Sequence, residues 1–468
     1  MKMKSKQLPR KSINFGLLVL GLLLLGLPDG HTQGRSSSWR NLFDGKSLVG
    51  WKQLTGTARY YVDDRMIIGV SVPGSPNSFL AYERPYADFI LELEFKLEDA
   101  VINSGIQFRS QYDPEGNKGK GSLYGYQYEM EGSTRDWAGG IYDEARRGWL
   151  YPTGLNEKAA GVYKQNTFNK VRIECKGTTV VTWLNGKPMS VLEDSAVRPG
   201  LIALQVHSVD QPEKVGKKIY WRNIRIQTQD VKLTPLPYPV YTVNTIANGL
   251  TAEEERLGWK QLFDGKTSDG WKGAYKPTFP EKGWEIANEE LSVKKSDGGE
   301  STNGGDIVTT KKYKAFDLSF DFKLSQGANS GVKYFVTLEQ NNPGSAIGLE
   351  YQVLDDELHP DAKMGRDGNR TLASLYDLIK AEKQARFLKP IGGWNTGRIV
   401  VYPDNRVDHF LNGIKVLSYQ RGSENYRQLV ALSKYKVWEK FGEASEGHIL
   451  LQDHGDEVHF RSIKIREL

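Results

Sequence analysis

Apolar and polar residues alternate at period two along much of the chain. "FILELEFKL" (89–97), "GIQFRSQY" (105–112), "VRIECKGTTVVTWL" (171–184) and "IYWRNIRI" (219–226) follow this pattern. So do "FDLSFDFKL" (316–324), "GVKYFVTL" (331–338), "GRIVVYPDNRVDHFL" (397–411) and "EVHFRSIKI" (457–465). A period of two puts every second side chain on one face, so each stretch predicts a strand resting on a core. Asn-Gly at 185–186 and 412–413, between flanking strands, predicts hairpins. Helical spacing is scarce. Thr251 with Glu254 fits a capping box and Gly258 a stop, which predicts one short helix there. The stretch 368–384 is a second helix candidate, of a turn or two. Many short strands and few helices predict an all-β chain with an antiparallel sandwich in each half.

The two sets of strands belong to a longer repeat. "NLFDGKSLVGWK" (41–52) returns as "QLFDGKTSDGWK" (261–272), "NSG" (103–105) as "NSG" (329–331), and "WLNGK" (183–187) as "FLNGIK" (410–415). "LIALQVHS" (201–208) pairs with "HILLQDHG" (448–455), and "WRNIRI" (221–226) with "FRSIKI" (460–465). The order never changes and the offsets stay between 220 and 247. Units of roughly 200 residues can each close a core, so the repeat predicts duplicated domains rather than a solenoid. The predicted division is a signal segment over 1–34, a first sandwich over 35–230, a linker with a short helix over 231–257, and a second sandwich over 258–468. The linker "TPLPYPVYTVN" (234–244) is proline-rich and is expected to be extended and exposed.

The first residues match an export signal: a basic "MKMKSKQLPRK", an apolar "FGLLVLGLLLLGL" (15–27) and a small, polar "PDGHTQG". The apolar run is shorter than the roughly 20 residues of a spanning helix, so a cleaved leader and a periplasmic or extracellular protein are expected. The alternative is an uncleaved signal anchor. Cys175 is the chain's single cysteine, which excludes an intramolecular disulfide, and its strand context predicts a buried, inert thiol. With 63 basic and 57 acidic residues interspersed, the chain has no electrostatic footprint for nucleic acid. Its 49 Gly, 23 Tyr and 11 Trp suit a turn-rich β protein and also stacking against sugars.

The pattern "LFDGK…GW", "NSG", "GLEYQVLDD" (348–356), "SLYDL" (374–378), "WN" (394–395), "LNG" and "LQDHG" resembles the bacterial 3-keto-disaccharide hydrolase family. That family is also called the 3-keto-glucoside 1,2-lyase/3-keto-2-hydroxyglucal hydratase family and was formerly a domain of unknown function. The match is closest over Trp259–Leu468, and Trp39 to about Gln227 looks like a divergent copy. The resemblance implies two tandem concanavalin-like jelly-roll sandwiches. It also implies an enzyme acting on a 3-keto-sugar or oligosaccharide supplied by a separate sugar 3-oxidase. A ketone at C3 acidifies the C2 proton, so a base can remove it and expel the C1 oxygen by β-elimination, and hydration completes a net hydrolysis. Such a site needs a base, an acid and donors for the enolate oxygen. Two other classes compete. One is a non-catalytic pair of carbohydrate-binding sandwiches, favoured by the aromatics. The other is a conventional glucanase, disfavoured because no Glu-x-Asp-x-x-Glu or Glu-x-Asp-x-x-x-Glu strand is present.

If 348–354 is a strand, Glu350 and Gln352 share one face and Tyr351 and Val353 the other. Glu350 and His454 are the expected acid/base pair, since imidazole titrates near working pH. Asn329, Lys333, Gln352, Asp356 and Gln452 are expected to bind hydroxyls or the enolate, with Trp394 as a stacking face. The competing reading makes Glu350 a solvated or paired strand residue and His454 a turn residue. No cofactor and no metal are expected; a cation held by Asp355, His359 and Asp361 is the alternative. His448 and His459 are expected on strand surfaces or in hydrogen-bonded core positions. In the first copy, Gln127 aligns with Glu350, Glu129 with Gln352, and His207 with His454. Gln107, Arg109, Trp137 and Asp143 complete a possible second site. That copy either holds a pocket of different preference or has lost chemistry and kept binding.

Overall fold

The computed structural model describes residues 38–196, 199–296, 299–342 and 345–468; the expected signal segment lies outside them. Among the described residues the chain is predominantly strand, and the halves use one strand order. In the first, Lys187–Glu193, Thr179–Leu184, Asn169–Lys176, Phe89–Leu97, Lys218–Gln227, Met66–Val70 and Arg59–Asp63 lie side by side. In the second, Ile414–Gln420, Arg406–Leu411, Trp394–Val401, Phe316–Leu324, Val458–Glu467, Glu290–Val293 and Trp284–Ala287 repeat that order. The opposing sheet runs Ser122–Glu131, Asn103–Asp113, Leu201–Val206, Ser78–Tyr82, Trp51–Thr55. Its counterpart runs Leu349–Leu354, Asn329–Val336, His448–Leu451, Ile307–Thr309, Trp271–Gly273. The first half adds a hairpin, Ile141–Glu144 with Gly148–Tyr151, beyond Ser122–Glu131.

Each half closes its own core between its two sheets. Phe89, Phe95, Ile106, Tyr128 and Trp221 belong to one, and Phe316, Phe320, Val332, Tyr351 and Phe460 to the other. Cys175 is buried in the first core, where burial pushes its thiol up to about 12. The repeated dozen has a structural purpose. Asp44 accepts from the amides of Lys46 and Ser47, and Asp264 from those of Lys266 and Thr267, an Asx-type turn. The indoles of Trp51 and Trp271 then donate to the carbonyls of Leu42 and Leu262, at 2.8 and 2.5 Å. Each dozen thus pins the start of its sandwich to that half's core.

The predicted helix forms over Ala252–Arg256, with both hydrogen bonds of the Thr251/Glu254 capping box. The 368–384 stretch is not helical. Ala373 and Asp377 take left-handed backbone angles, φ 65° and 61°, incompatible with a helix. The segment instead covers the edge of Leu349–Leu354. The amides of Ala373 and Tyr376 donate to Gln352 and Glu350, and the Gln352 amide to Ser374. A helix over Glu424–Ala431, capped by Ser423, was not anticipated. Nor is the 234–244 stretch wholly exposed: Val240 is buried and Thr242–Asn244 pairs in parallel with Lys187–Glu193.

The two sandwiches form one unit, Trp39–Leu468. Phe387 packs on Trp137 at 5.1 Å between ring centres, the Arg398 guanidinium lies 4.4 Å over the Tyr241 ring, and Lys464 pairs with Glu254 of the short helix.

Candidate functional site

In the second sandwich, Asn329–Val336 lies between Leu349–Leu354 and His448–Leu451. Its register pairs Lys333 with Glu350 and Gly331 with Gln352, and the Gln452 amide donates to Gly331 at 3.0 Å. Strand alternation sends Tyr351 and Val353 into the core, while Lys333, Glu350 and Gln352 line a cleft of about 360 Å³ on the outer face. Asn329, Gln452 and His454 line it too. The expectation that Glu350 and Gln352 share one face agrees with their placement.

The base of the cleft is buried. Asn329, Lys333, Glu350, Gln352 and Gln452 are all at most 5 % exposed. Four buried polar atoms there find no hydrogen-bond partner: Asn329 Oδ1, Gln352 Oε1, Gln452 Oε1 and His454 Nδ1. Orphaned groups of this kind are costly in a folded protein, and their convergence marks a place built for a ligand. Burial pushes the Glu350 carboxyl up to about 7, against the pull of Lys333 and Lys434. Burial also opposes charge on Lys333, yet the carboxylates of Asp306, Glu350 and Glu300 hold its ammonium above the ordinary lysine range. A raised carboxyl beside a retained ammonium suits proton transfer next to a developing anion.

Gly331 makes this arrangement possible, because a β-carbon there would collide with the Glu350 carboxyl. The buried Asp453 organises the far side, accepting from the amides of Gly304 and Gly305 at 2.9 Å each. This leaves His454 turned into the cleft.

Two expected sugar-binding groups lie elsewhere. Asp356 is spent on Lys383 at 2.5 Å and on the Leu372 amide at 2.6 Å. Trp394 lies on a cavity of about 390 Å³ between the sandwiches, covered by Arg461 at 4.0 Å. Charged groups around that cavity are paired within the protein, Arg146 and Arg147 with Asp143 and Arg398 with Asp317. Of the alternative cation trio, Asp355 accepts from the Gly327 and Glu357 amides. Asp361 accepts from Arg370 and the Tyr376 hydroxyl. His359 alone of the three offers a side chain to the cleft rim without a carboxylate's network of donors. His448 bonds the Thr309 carbonyl and His459 the Ser292 hydroxyl, both at 2.7 Å.

Sequence reasoning missed Glu300, Tyr376, Lys434 and Tyr435, which also line the cleft. Tyr376 stands inside the "SLYDL" motif, so that motif could have pointed to it. Lys434 and Tyr435 come from a single 3-10 turn, Lys434–Val437, with no local signal.

The first sandwich places Gln107 opposite Gln127 and Gly105 opposite Glu129. Gln107 donates to Gln127 at 2.8 Å and Gln127 to Glu129 at 3.0 Å, and burial pushes Glu129 up to about 7. The other expected members are not gathered there. Arg109 lies within a bulge of its strand and is locked to Ala87, Gly177 and Asp88. Asp143 braces Arg146 and Arg147, and Trp137 packs at the interface against Trp149 and Phe387. His207 Nδ1 lies 2.7 Å from the Ser208 carbonyl, in a smaller cleft with Asn103 and Lys214.

Comparison with known proteins gives a consistent picture. A family model described as a 3-keto-alpha-glucoside-1,2-lyase-like domain matches residues 38–227 and again 258–466. A 3-keto-disaccharide hydrolase of Bacteroides thetaiotaomicron is 39% identical over 232 residues, 45% of this chain and 79% of that protein. Two crystal structures from Parabacteroides distasonis, each described as a glycosyl hydrolase, are also similar. One is 32% identical, covers 47% of this chain and 99% of its own, and has a TM-score of 0.41. The other is 27% identical over 45% and 99%, with a TM-score of 0.35.

Proposed function

The chain belongs to the 3-keto-alpha-glucoside-1,2-lyase-like family, a carbohydrate-active one, and from that premise we propose that its second sandwich cleaves glycosides already oxidised at C3 of glucose. The observation that carries this reading is Glu350: a carboxyl pushed to about 7 by burial, cross-strand from a charged Lys333, in a cleft with unpartnered amide oxygens. Near neutral pH such a group is populated in both protonation states, as a residue that first takes and later returns a proton requires.

In the proposed sequence Glu350 removes the C2 proton, and the C2–H electrons move into the C3 carbonyl. Lys333 and the amide N–H groups of Gln352 and Gln452 stabilise the enolate oxygen. The electrons then return, the C1–O bond breaks and His454 protonates the departing oxygen. Water adds to C1 of the enone, giving its proton to His454, and Glu350 returns its proton to C2, so the net change is hydrolysis. The substrate must come from a reaction that oxidises a glucoside hydroxyl at C3. The leader-like segment over 1–34 supports export to the periplasm or beyond.

We assign this chemistry to the second sandwich. In the first, Gln107 and Gln127 stand where the second has Lys333 and Glu350, and they satisfy each other. A carbohydrate-binding role for that half, with Glu129 as a strongly perturbed carboxyl, is the second reading.

The test follows the C2 hydrogen. Turnover of a 3-keto-glucoside in deuterium oxide should place deuterium at C2, and the unoxidised parent glucoside should remain intact. Cleavage of the parent, or product without deuterium at C2, would overturn the proposal.

A further inference from the structure

We propose that His359, His454 and Asp456 bind one divalent transition-metal ion at the rim of the cleft, positioned to chelate adjacent oxygens of a keto sugar. The inference rests on the substrate class proposed above but not on its reaction: His454 would coordinate through Nδ1, leaving Nε2 to carry the proton given to the departing oxygen. The three ligand atoms lie within 4.8 Å of one another. The imidazoles meet edge to face with ring centres 5.7 Å apart, and His359 Nε2 is 3.9 Å from Asp456 Oδ2. His454 Nδ1 is buried with no hydrogen-bond partner. Asp456 Oδ2 accepts from one amide, that of Asn329 at 3.1 Å, whereas the neighbouring Asp355 and Asp361 are taken up by several donors, the Gly327 and Glu357 amides, Arg370 and Tyr376.

Ligand chemistry decides the kind of ion. Two imidazoles and one carboxylate suit Mn²⁺, Fe²⁺, Co²⁺ or Zn²⁺ rather than Ca²⁺ or Mg²⁺, which prefer oxygen alone. Three protein ligands leave coordination positions open. At bond lengths of about 2.1 Å, ligand atoms around an ion sit roughly 3–3.5 Å apart, so binding requires the trio to close by on the order of 1 Å. His359 immediately precedes the 3-10 turn Pro360–Lys363, and Asp456 lies in the turn before Val458–Glu467. Both are therefore in connections, where such a shift disturbs no strand pairing. Coordination through His359 Nε2 puts the ring proton on Nδ1, where the Asp361 amide now donates at 3.2 Å; that contact would be given up. The open positions face the cleft lined by Glu350 and Gln352. There an α-hydroxyketone, with neighbouring carbonyl and hydroxyl oxygens, offers a five-membered chelate.

The first sandwich supplies an internal control. It keeps His207 at the position of His454, but Val209 stands where the second has Asp456, and His207 Nδ1 is directed at the Ser208 carbonyl. The inference therefore requires one ion per chain, not two.

Tag-free protein stripped with EDTA would be dialysed against Co²⁺ without sugar, with visible d–d absorption reporting imidazole coordination. One Co²⁺ per chain is expected, with binding weakened at least tenfold in His359→Ala and in Asp456→Asn. Melting temperatures of the metal-free variants report their folding. Asp456→Asn keeps an acceptor for the Asn329 amide, so it serves as the measure if His359→Ala disturbs its loop. No bound Co²⁺, two ions per chain, or binding unchanged in Asp456→Asn would overturn the proposal. Because binding is read without substrate, its failure is distinct from failure of the C2 deuterium test.

Discussion

Glu350 holds a proton at a pH where an exposed glutamate would long have released it, and this has opposite consequences for activity and stability. Glu350→Gln removes the proton carrier and should lower turnover of a 3-keto-glucoside by about 10²–10⁴, read as kcat. His454→Ala should do likewise. The same Glu350→Gln should stabilise the fold. The folded-state pKa, about 7, lies above the 4.5 of an ordinary glutamate. The native state therefore binds the proton more tightly, and stability falls as pH rises from about 4.5 to about 7. A shift of that size corresponds to on the order of 3 kcal/mol. Melts should show the glutamine variant above the wild type at pH 8, with the difference vanishing near pH 4. At this scale the sequence was readable where a strand carried the residue: alternation alone put Glu350 beside Gln352. It failed at Asp356 and Trp394, whose partners Lys383 and Arg461 come from elsewhere in the chain.

Among elements, the Asn329–Val336 strand does most to define the cleft, and Gly331 is its point of least tolerance. Gly331→Ala would force its β-carbon against the Glu350 carboxyl. It should cut kcat at least tenfold while the folded β signal in circular dichroism persists. The short helix Ala252–Arg256 has a different task. Thr251→Ala removes the bond accepted from the Glu254 amide at 3.0 Å and should cost about 1 kcal/mol, measured by denaturant unfolding. That helix was legible because its cap is a local pattern of four residues. The 368–384 segment was not, because its backbone partners are Glu350 and Gln352 on a distant strand, and long-range pairing overrode local propensity. The helix Glu424–Ala431 had a local signal that was overlooked, Ser423 at its cap and Tyr426, Leu429 and Val430 at helical spacing.

Across the whole molecule, duplication has kept the scaffold and separated the sites. The strand order and the tryptophan-anchored opening turns recur, as the repeated motifs indicated. The rows of polar side chains have diverged, Lys333 and Glu350 answering to Gln107 and Gln127. Gln127→Ala with Glu129→Gln should therefore leave kcat on a 3-keto-glucoside within about twofold of wild type, measured in the intact chain. A loss comparable to that of Glu350→Gln would return catalysis to the first half.

The hairpin that distinguishes the first sandwich ends in Gly148–Tyr151, an outermost strand. Its carbonyl row is met by the Lys389 ammonium, which takes Arg147 and, at 3.4 Å, Trp149. On the corresponding side of the second sandwich, Leu349–Leu354 is sheathed by 373–376. Open sheet borders recruit stray strands from other chains. Covering these two flanks, one with a borrowed cation and one with a folded-back segment, disfavours strand addition at both borders.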